Sequence, residues 1–85
     1  MEEKIIAWIA RDEEGGLYCF PHGKPIKVID GSDWEIPTKG YWDYDDDELS
    51  MNPFNVLSLN KKLFPQVKWK DEEPTKVELT IKICK

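Results

Sequence analysis

At 85 residues, 40% of them hydrophobic and 12% aromatic, the chain suffices for one small core and is too apolar for a disordered segment. A formal charge of −5 disfavours nucleic acid as a partner, and no apolar run reaches the roughly 18 residues of a membrane helix. A body this small removes only about 60–65% of its unfolded surface from water, so a dimer contact would help it.

Ile5 to Arg11 predicts a strand, with Ile5, Ala7 and Ile9 on one face and Ile6, Trp8 and Ala10 on the other. Both faces are apolar, which places it in the middle of a sheet. Trp8→Ala is accordingly expected among the most damaging single changes, at about 3–5 kcal/mol. Asp12-Glu13-Glu14-Gly15-Gly16 reads as a turn whose glycines supply positive φ, and Leu17-Tyr18-Cys19-Phe20 returns as the second strand of a hairpin. Pro21 and Pro25 end that run because they cannot donate to a ladder. Ile26–Ile29 is a third short strand, stopped by Asp30-Gly31-Ser32-Asp33.

Trp34-Glu35-Ile36 reads as a short strand before Pro37, whereas Tyr41-Trp42-Asp43-Tyr44 alternates poorly and, with the acids behind it, reads as a loop. Pro53 bars a long helix between Leu49 and Leu59, and Val56–Leu59 fits a strand better. Asn60 is expected to cap a single helical turn that Pro65 ends. Val67 and Trp69 alternate with Lys68 and Lys70, and Asp71-Glu72-Glu73-Pro74 forms a turn. Val77, Leu79, Ile81 and Ile83 then alternate with Glu78, Thr80 and Lys82, predicting a strand with one core face and one wet face. Its expected partner is the stretch 66–70, antiparallel. The chain is thus read as a single mainly β domain over residues 1–85. It is a small antiparallel barrel or a two-layer sandwich, with one short helical turn near residues 60–65.

Two stretches carry a resemblance. The first runs Trp8-Ile9-Ala10-Arg11-Asp12-Glu13-Glu14-Gly15-Gly16-Leu17, with Lys24-Pro25 behind it. The second runs Leu63-Phe64-Pro65-Gln66-Val67-Lys68-Trp69, followed by Asp71-Glu72-Glu73-Pro74 and Val77-Glu78-Leu79. Together they resemble a set of short proteins of gut bacteria, their mobile elements and their phages, in which the first motif opens the chain and the second closes it. The resemblance covers about half of the chain. It implies a source and a β-rich architecture; it brings no activity, substrate or binding residue, because that set has none assigned.

The charge is concentrated. Residues 30–48 hold eight acids (Asp30, Asp33, Glu35, Asp43, Asp45, Asp46, Asp47 and Glu48) against Lys39, together with Trp34, Tyr41, Trp42 and Tyr44. Residues 1–29 carry five acids and four bases, and residues 49–85 carry four acids and seven bases. The candidate interaction surface is therefore Trp34, Tyr41, Trp42, Asp43, Tyr44, Asp45, Asp46, Asp47 and Glu48: aromatic anchors among charges have the composition of an interface hot spot. The competing reading is a solvated acidic loop, with its aromatics partly in the core.

Catalytic chemistry finds little support. Cys19 stands three residues from His22, a spacing that points the two side chains to opposite faces of an extended segment and supplies no third orienting group. Cys19, His22 and Cys84 fall one ligand short of a structural zinc site. An EF-hand begun at Asp43 would need glycine and glutamate where Glu48 and Phe54 stand. Lys61, Lys62, Lys68 and Lys70 read as edge-blunting charges rather than a nucleic-acid grip. No catalytic residue, metal ligand or cofactor is expected.

The N-terminal Met-Glu-Glu-Lys and its short apolar stretch do not make a signal peptide, and two cysteines do not make a secreted disulfide framework. The expectation is a cytoplasmic protein with reduced thiols. The reading is a small acidic binding protein, phage- or mobile-element-derived by its resemblance, that binds or inhibits a host protein. Its partner would be a protein with a basic surface, not nucleic acid or membrane, with a homodimer through Val77–Ile83. The alternative is a small-molecule-binding module or accessory subunit of an enzyme, with Trp34 and Trp42 lining its pocket.

Overall fold

A central strand shared by two core clusters organises the chain. The computed structural model describes residues 2–29 and 40–82. Strands β1 (Glu2–Arg11), β2 (Leu17–Phe20), β5 (Leu57–Leu59) and β6 (Thr75–Lys82) form an antiparallel sheet in the order β5-β2-β1-β6. A second, two-stranded antiparallel sheet joins β3 (Pro25–Val28) to β4 (Tyr41–Tyr44). One turn of helix, α1 (Asp47–Ser50), and a 3-10 turn at Pro53–Asn55 connect β4 to β5. The chain is mainly β and two-layered; β5 and β6 bound an open sheet, so the barrel alternative is not realised.

β1 lies between β2 and β6, as its pattern predicts. On one face Ala7 and Ile9 join Leu17, Cys19 and Val67 in a buried cluster, with Leu59, Val77 and Leu79 packed against it. On the other, Ala10 joins Phe20, Trp42 and Tyr44, backed by Tyr18, Leu49, Val56 and Trp69. The β3-β4 layer therefore covers the Ala10 face. Burial of β1 on both faces is confined to its second half, because Glu2–Ile6 are exposed. Trp8 is half-buried and belongs to neither buried cluster. Its expected rank among the core residues is corrected accordingly.

Three further expectations change. Tyr41–Tyr44 is a strand, not a loop: Trp42 and Tyr44 turn inward while Tyr41 and Asp43 turn out. With aromatics on both sides, apolar alternation conceals that parity. The stretch 66–70 is not a strand and does not pair with β6, whose partner is β1, from Glu2↔Lys82 to Ile9↔Thr75. Successive turns replace it: Phe64 takes φ 49°, the Val67 amide donates to the Phe64 carbonyl at 3.0 Å and that of Asp71 to Lys68 at 3.1 Å. Val67 is driven into the first cluster as a plug, 2% exposed.

Asn60 does cap a turn, its side chain accepting from the Lys62 amide at 2.9 Å, but that turn does not become helix. The helical residues lie upstream, where Asp46 and Asn52 cap α1 and the 3-10 turn and Pro53 takes its tolerated place at the start. Trp34, Ile83 and Cys84 lie outside the described residues. So does the expected strand at 34–36.

Candidate functional site

The acid run begins on β4 and continues through α1. Asp43 is half-buried, and its carboxylate accepts from the Tyr44 amide at 2.8 Å. Asp45, Asp46, Asp47 and Glu48 are exposed. Asp46 orders the start of α1 by accepting from the Glu48 amide at 2.9 Å, and acids in a first helical turn suit the positive end of the backbone dipole. Ion pairs among the described residues join Lys4 to Glu78, Lys24 to Glu73 and Lys82 to Glu2. None of these pairs reaches Asp45–Glu48.

The aromatics separate. Tyr41 is 43% exposed, whereas Trp42 and Tyr44 are 8% and 5% exposed and hold the second core cluster together. Trp42 donates its indole N–H to the Arg11 carbonyl at 3.1 Å and meets Trp69 edge to face, centroids 6.5 Å apart. The Lys27 ammonium lies 4.3 Å from the Trp69 ring centroid and 5.3 Å from that of Trp42, and donates to the Trp69 carbonyl at 2.5 Å. These rings thus already hold a cation from their own chain. Gly40 lies so close to the Trp69 indole that a Cβ there would strike the ring.

Two shallow depressions flank Trp42. One, of about 330 Å³, is lined by Lys24 and Glu73, an ion pair of 2.7 Å, and by Lys27, Asp45 and Glu72. The other, of about 240 Å³, is lined by Asp12, Tyr18, Phe20, Tyr41, Trp42 and Val56. Aromatic faces beside one carboxylate are suited to an organic cation. The sequence reading missed Tyr18, Val56 and Asp12 here. No local pattern joins them: Tyr18 reaches the site through its register opposite Ala10, which the structure shows.

Cys19 is buried in the first cluster and His22 is exposed. Burial pushes the Cys19 thiol above its ordinary value. It does the same to the Tyr44 phenol, opposed by the hydrogen bond from the His22 amide. The Tyr44 hydroxyl donates to the Asn55 carbonyl at 2.6 Å and accepts from that amide at 3.2 Å, tying β4 to the chain on both sides. Among the described residues no group of three or more His, Cys, Asp or Glu could hold a metal ion, and no helix is long and apolar enough to cross a membrane.

The two motifs noted in the sequence meet through Arg11. Its Nε donates to Val67 O at 2.7 Å, its Nη1 to Gly15 O at 2.7 Å and Lys61 O at 3.0 Å, and its Nη2 to Leu63 O at 2.9 Å and Phe64 O at 3.2 Å. The fork of the guanidinium thus binds the 61–67 loop to the β1-β2 turn. Comparison with family models, curated proteins and solved structures finds no match to this chain.

Proposed function

We propose that the chain is a cytoplasmic binding protein, not an enzyme, whose acidic ridge captures a basic region of another protein. The observation that carries this reading is the row of exposed carboxylates Asp45, Asp46, Asp47 and Glu48, ordered by a cap and engaged in no ion pair among the described residues. Such a ridge raises the encounter rate with a positive surface and repels nucleic acid. The groove of Tyr18, Tyr41, Trp42 and Asp12 includes two residues of β4, the strand that leads into the ridge, and its chemistry suits a lysine or arginine side chain of the partner. The resemblance to phage and mobile-element proteins favours a host protein as the target, with inhibition as the outcome.

The test compares the natural chain with Asp45→Asn, Asp46→Asn, Asp47→Asn and Glu48→Gln combined. Asparagine keeps the cap at position 46, so charge is removed without removing the helix start. Capture of a basic protein from host lysate should be lost in that variant and weakened by salt in the natural chain. Equal capture by both rejects the acidic ridge as the binding element.

The second reading, a small-molecule-binding module or accessory subunit, is favoured by the two depressions beside Trp42. Volumes of about 240 and 330 Å³ lie at or below the lower end of the roughly 300–1,000 Å³ of ligand pockets, so this reading comes second. A change in tryptophan fluorescence or a melting shift in a metabolite screen would favour it.

A further inference from the structure

The sheet does not end where the core ends. β1 pairs with β2 only from Trp8 to Arg11, whereas its pairing with β6 begins at Glu2. Residues 2–6 and 78–82 therefore form a two-stranded ribbon with no third strand among the described residues. Its residues are exposed except for the half-buried Leu79. The radius of gyration, 14.2 Å, exceeds the about 12 Å expected for a compact domain of this length. The long dimension is 52 Å against 30 and 21 Å for the others, as a projecting arm requires.

This arm has two unlike faces. Glu2, Lys4, Ile6, Glu78, Thr80 and Lys82 occupy one, its charges joined as Lys82–Glu2 at 3.0 Å and Lys4–Glu78 at 3.8 Å. Ile5, Leu79 and Ile81 occupy the other, with Glu3 opposite Ile81 at its outer end, and this face continues into the first core cluster through Ala7 and Val77. Ile5 and Ile81 are 37% and 55% exposed. An isolated two-stranded ribbon is marginally stable in water. The outer edge of β6 is eight residues long and has no proline; its charges, Lys76, Glu78 and Lys82, are of both signs and all lie on the face away from Leu79 and Ile81.

We propose that this edge pairs with the same edge of a second copy, antiparallel and centred on Thr80. The charge pattern of β6 selects that register. A two-fold axis at Thr80 sets Glu78 opposite Lys82 of the second copy, twice by symmetry, and Leu79 opposite Ile81 on the apolar face. An axis at Leu79 instead would set Lys76 opposite Lys82, like against like. The Thr80 register joins the two arms into a four-stranded ribbon in the order β1-β6-β6-β1, with its apolar residues contiguous.

The experiment measures mass by light scattering at tens of micromolar for four samples: the natural chain, Glu78→Lys, Lys82→Glu, and an equimolar mixture of the two variants. The natural chain should have the mass of two chains. Each variant alone places like charges opposite one another in both pairs, so its dimer dissociation constant should rise about tenfold or more. The mixture restores both opposite-charge pairs and should return to the mass of two chains. A one-chain mass for the natural protein overturns the proposal, and so does a dimer that neither reversal weakens, since it would use another surface. Amide exchange in the natural chain gives a second readout that needs no variant. Protection over residues 77–81 should rise with protein concentration, and protection that is flat over a hundredfold dilution rejects the seam.

Discussion

Arg11 donates its Nε–H to the carbonyl of Val67 at 2.7 Å, across 56 positions of sequence. The same residue accepts the indole N–H of Trp42 on its own carbonyl. Its side chain thus fixes the loop that plugs one face of the sheet, while its backbone anchors the layer over the other.

Replacing Arg11 by alanine removes five charge-assisted bonds to carbonyls and should destabilise the fold by about 2–4 kcal/mol, less than their sum because the freed carbonyls reach water. Lysine keeps the charge but has no planar fork, so Arg11→Lys should recover less than half of the loss. Urea unfolding of both variants checks this. Full recovery by lysine would show that charge, not fork geometry, holds the loop.

Phe20 and Trp8 face one another across β1 and β2, yet Phe20 is 1% exposed and Trp8 half-buried. Phe20 also meets Tyr44 edge to face at 5.3 Å. Phe20→Ala should cost about 3–5 kcal/mol and Trp8→Ala about 1–2, in proportion to the area each returns to water. The two denaturation midpoints should therefore be well separated, with Trp8→Ala the higher.

A methyl group at position 40 would strike the indole of Trp69, while the Gly40 backbone is held on both sides, donating to Glu13 Oε2 and accepting from the Glu13 amide, each at 3.0 Å. Neither partner can retreat cheaply. Gly40→Ala should cost about 1–3 kcal/mol, and should cost distinctly less in a Trp69→Leu background. Additive losses in the double variant would show that the contact is not the cause.

Cys19 and Tyr44 hold their protons more tightly in the folded chain than in the unfolded one, because burial disfavours their anions. The stability this represents is complete below the ordinary values of 9.0 and 10.0 and is lost as pH rises through the folded values. The melting temperature should be level up to about pH 8 and fall beyond about pH 9 as unfolded thiol and then phenol ionise. In Cys19→Ala the onset of that fall should move upward, toward the tyrosine range.

What the residues disclosed and what they withheld divide along one physical line. The β1-β2 hairpin, the alternation of β6 and the cap at Asn60 rest on side chains a few positions apart, so local pattern reveals them. The pairing of β6 with β1 rests on register across nearly the whole chain, and the Arg11 contacts rest on carbonyls, which every residue has. Neither leaves a local signature. In the candidate site, the exposure of Asp45–Glu48 followed from charge alone. The fate of the aromatics did not, since strand parity sends Trp42 and Tyr44 inward and leaves Tyr41 outside.

The register from Glu2↔Lys82 to Ile9↔Thr75 also orders events on the ribosome. β1 is translated before any of its neighbours and is completed by the last of them. The β1-β2 hairpin closes a short loop and can form early, whereas residues 2–7 must wait until Thr75–Lys82 clears the exit tunnel. Through that interval Ile5 and Ile6 stand on a strand with no ladder on either side. Chaperone capture of the nascent chain should therefore concentrate on this segment and end when β6 emerges.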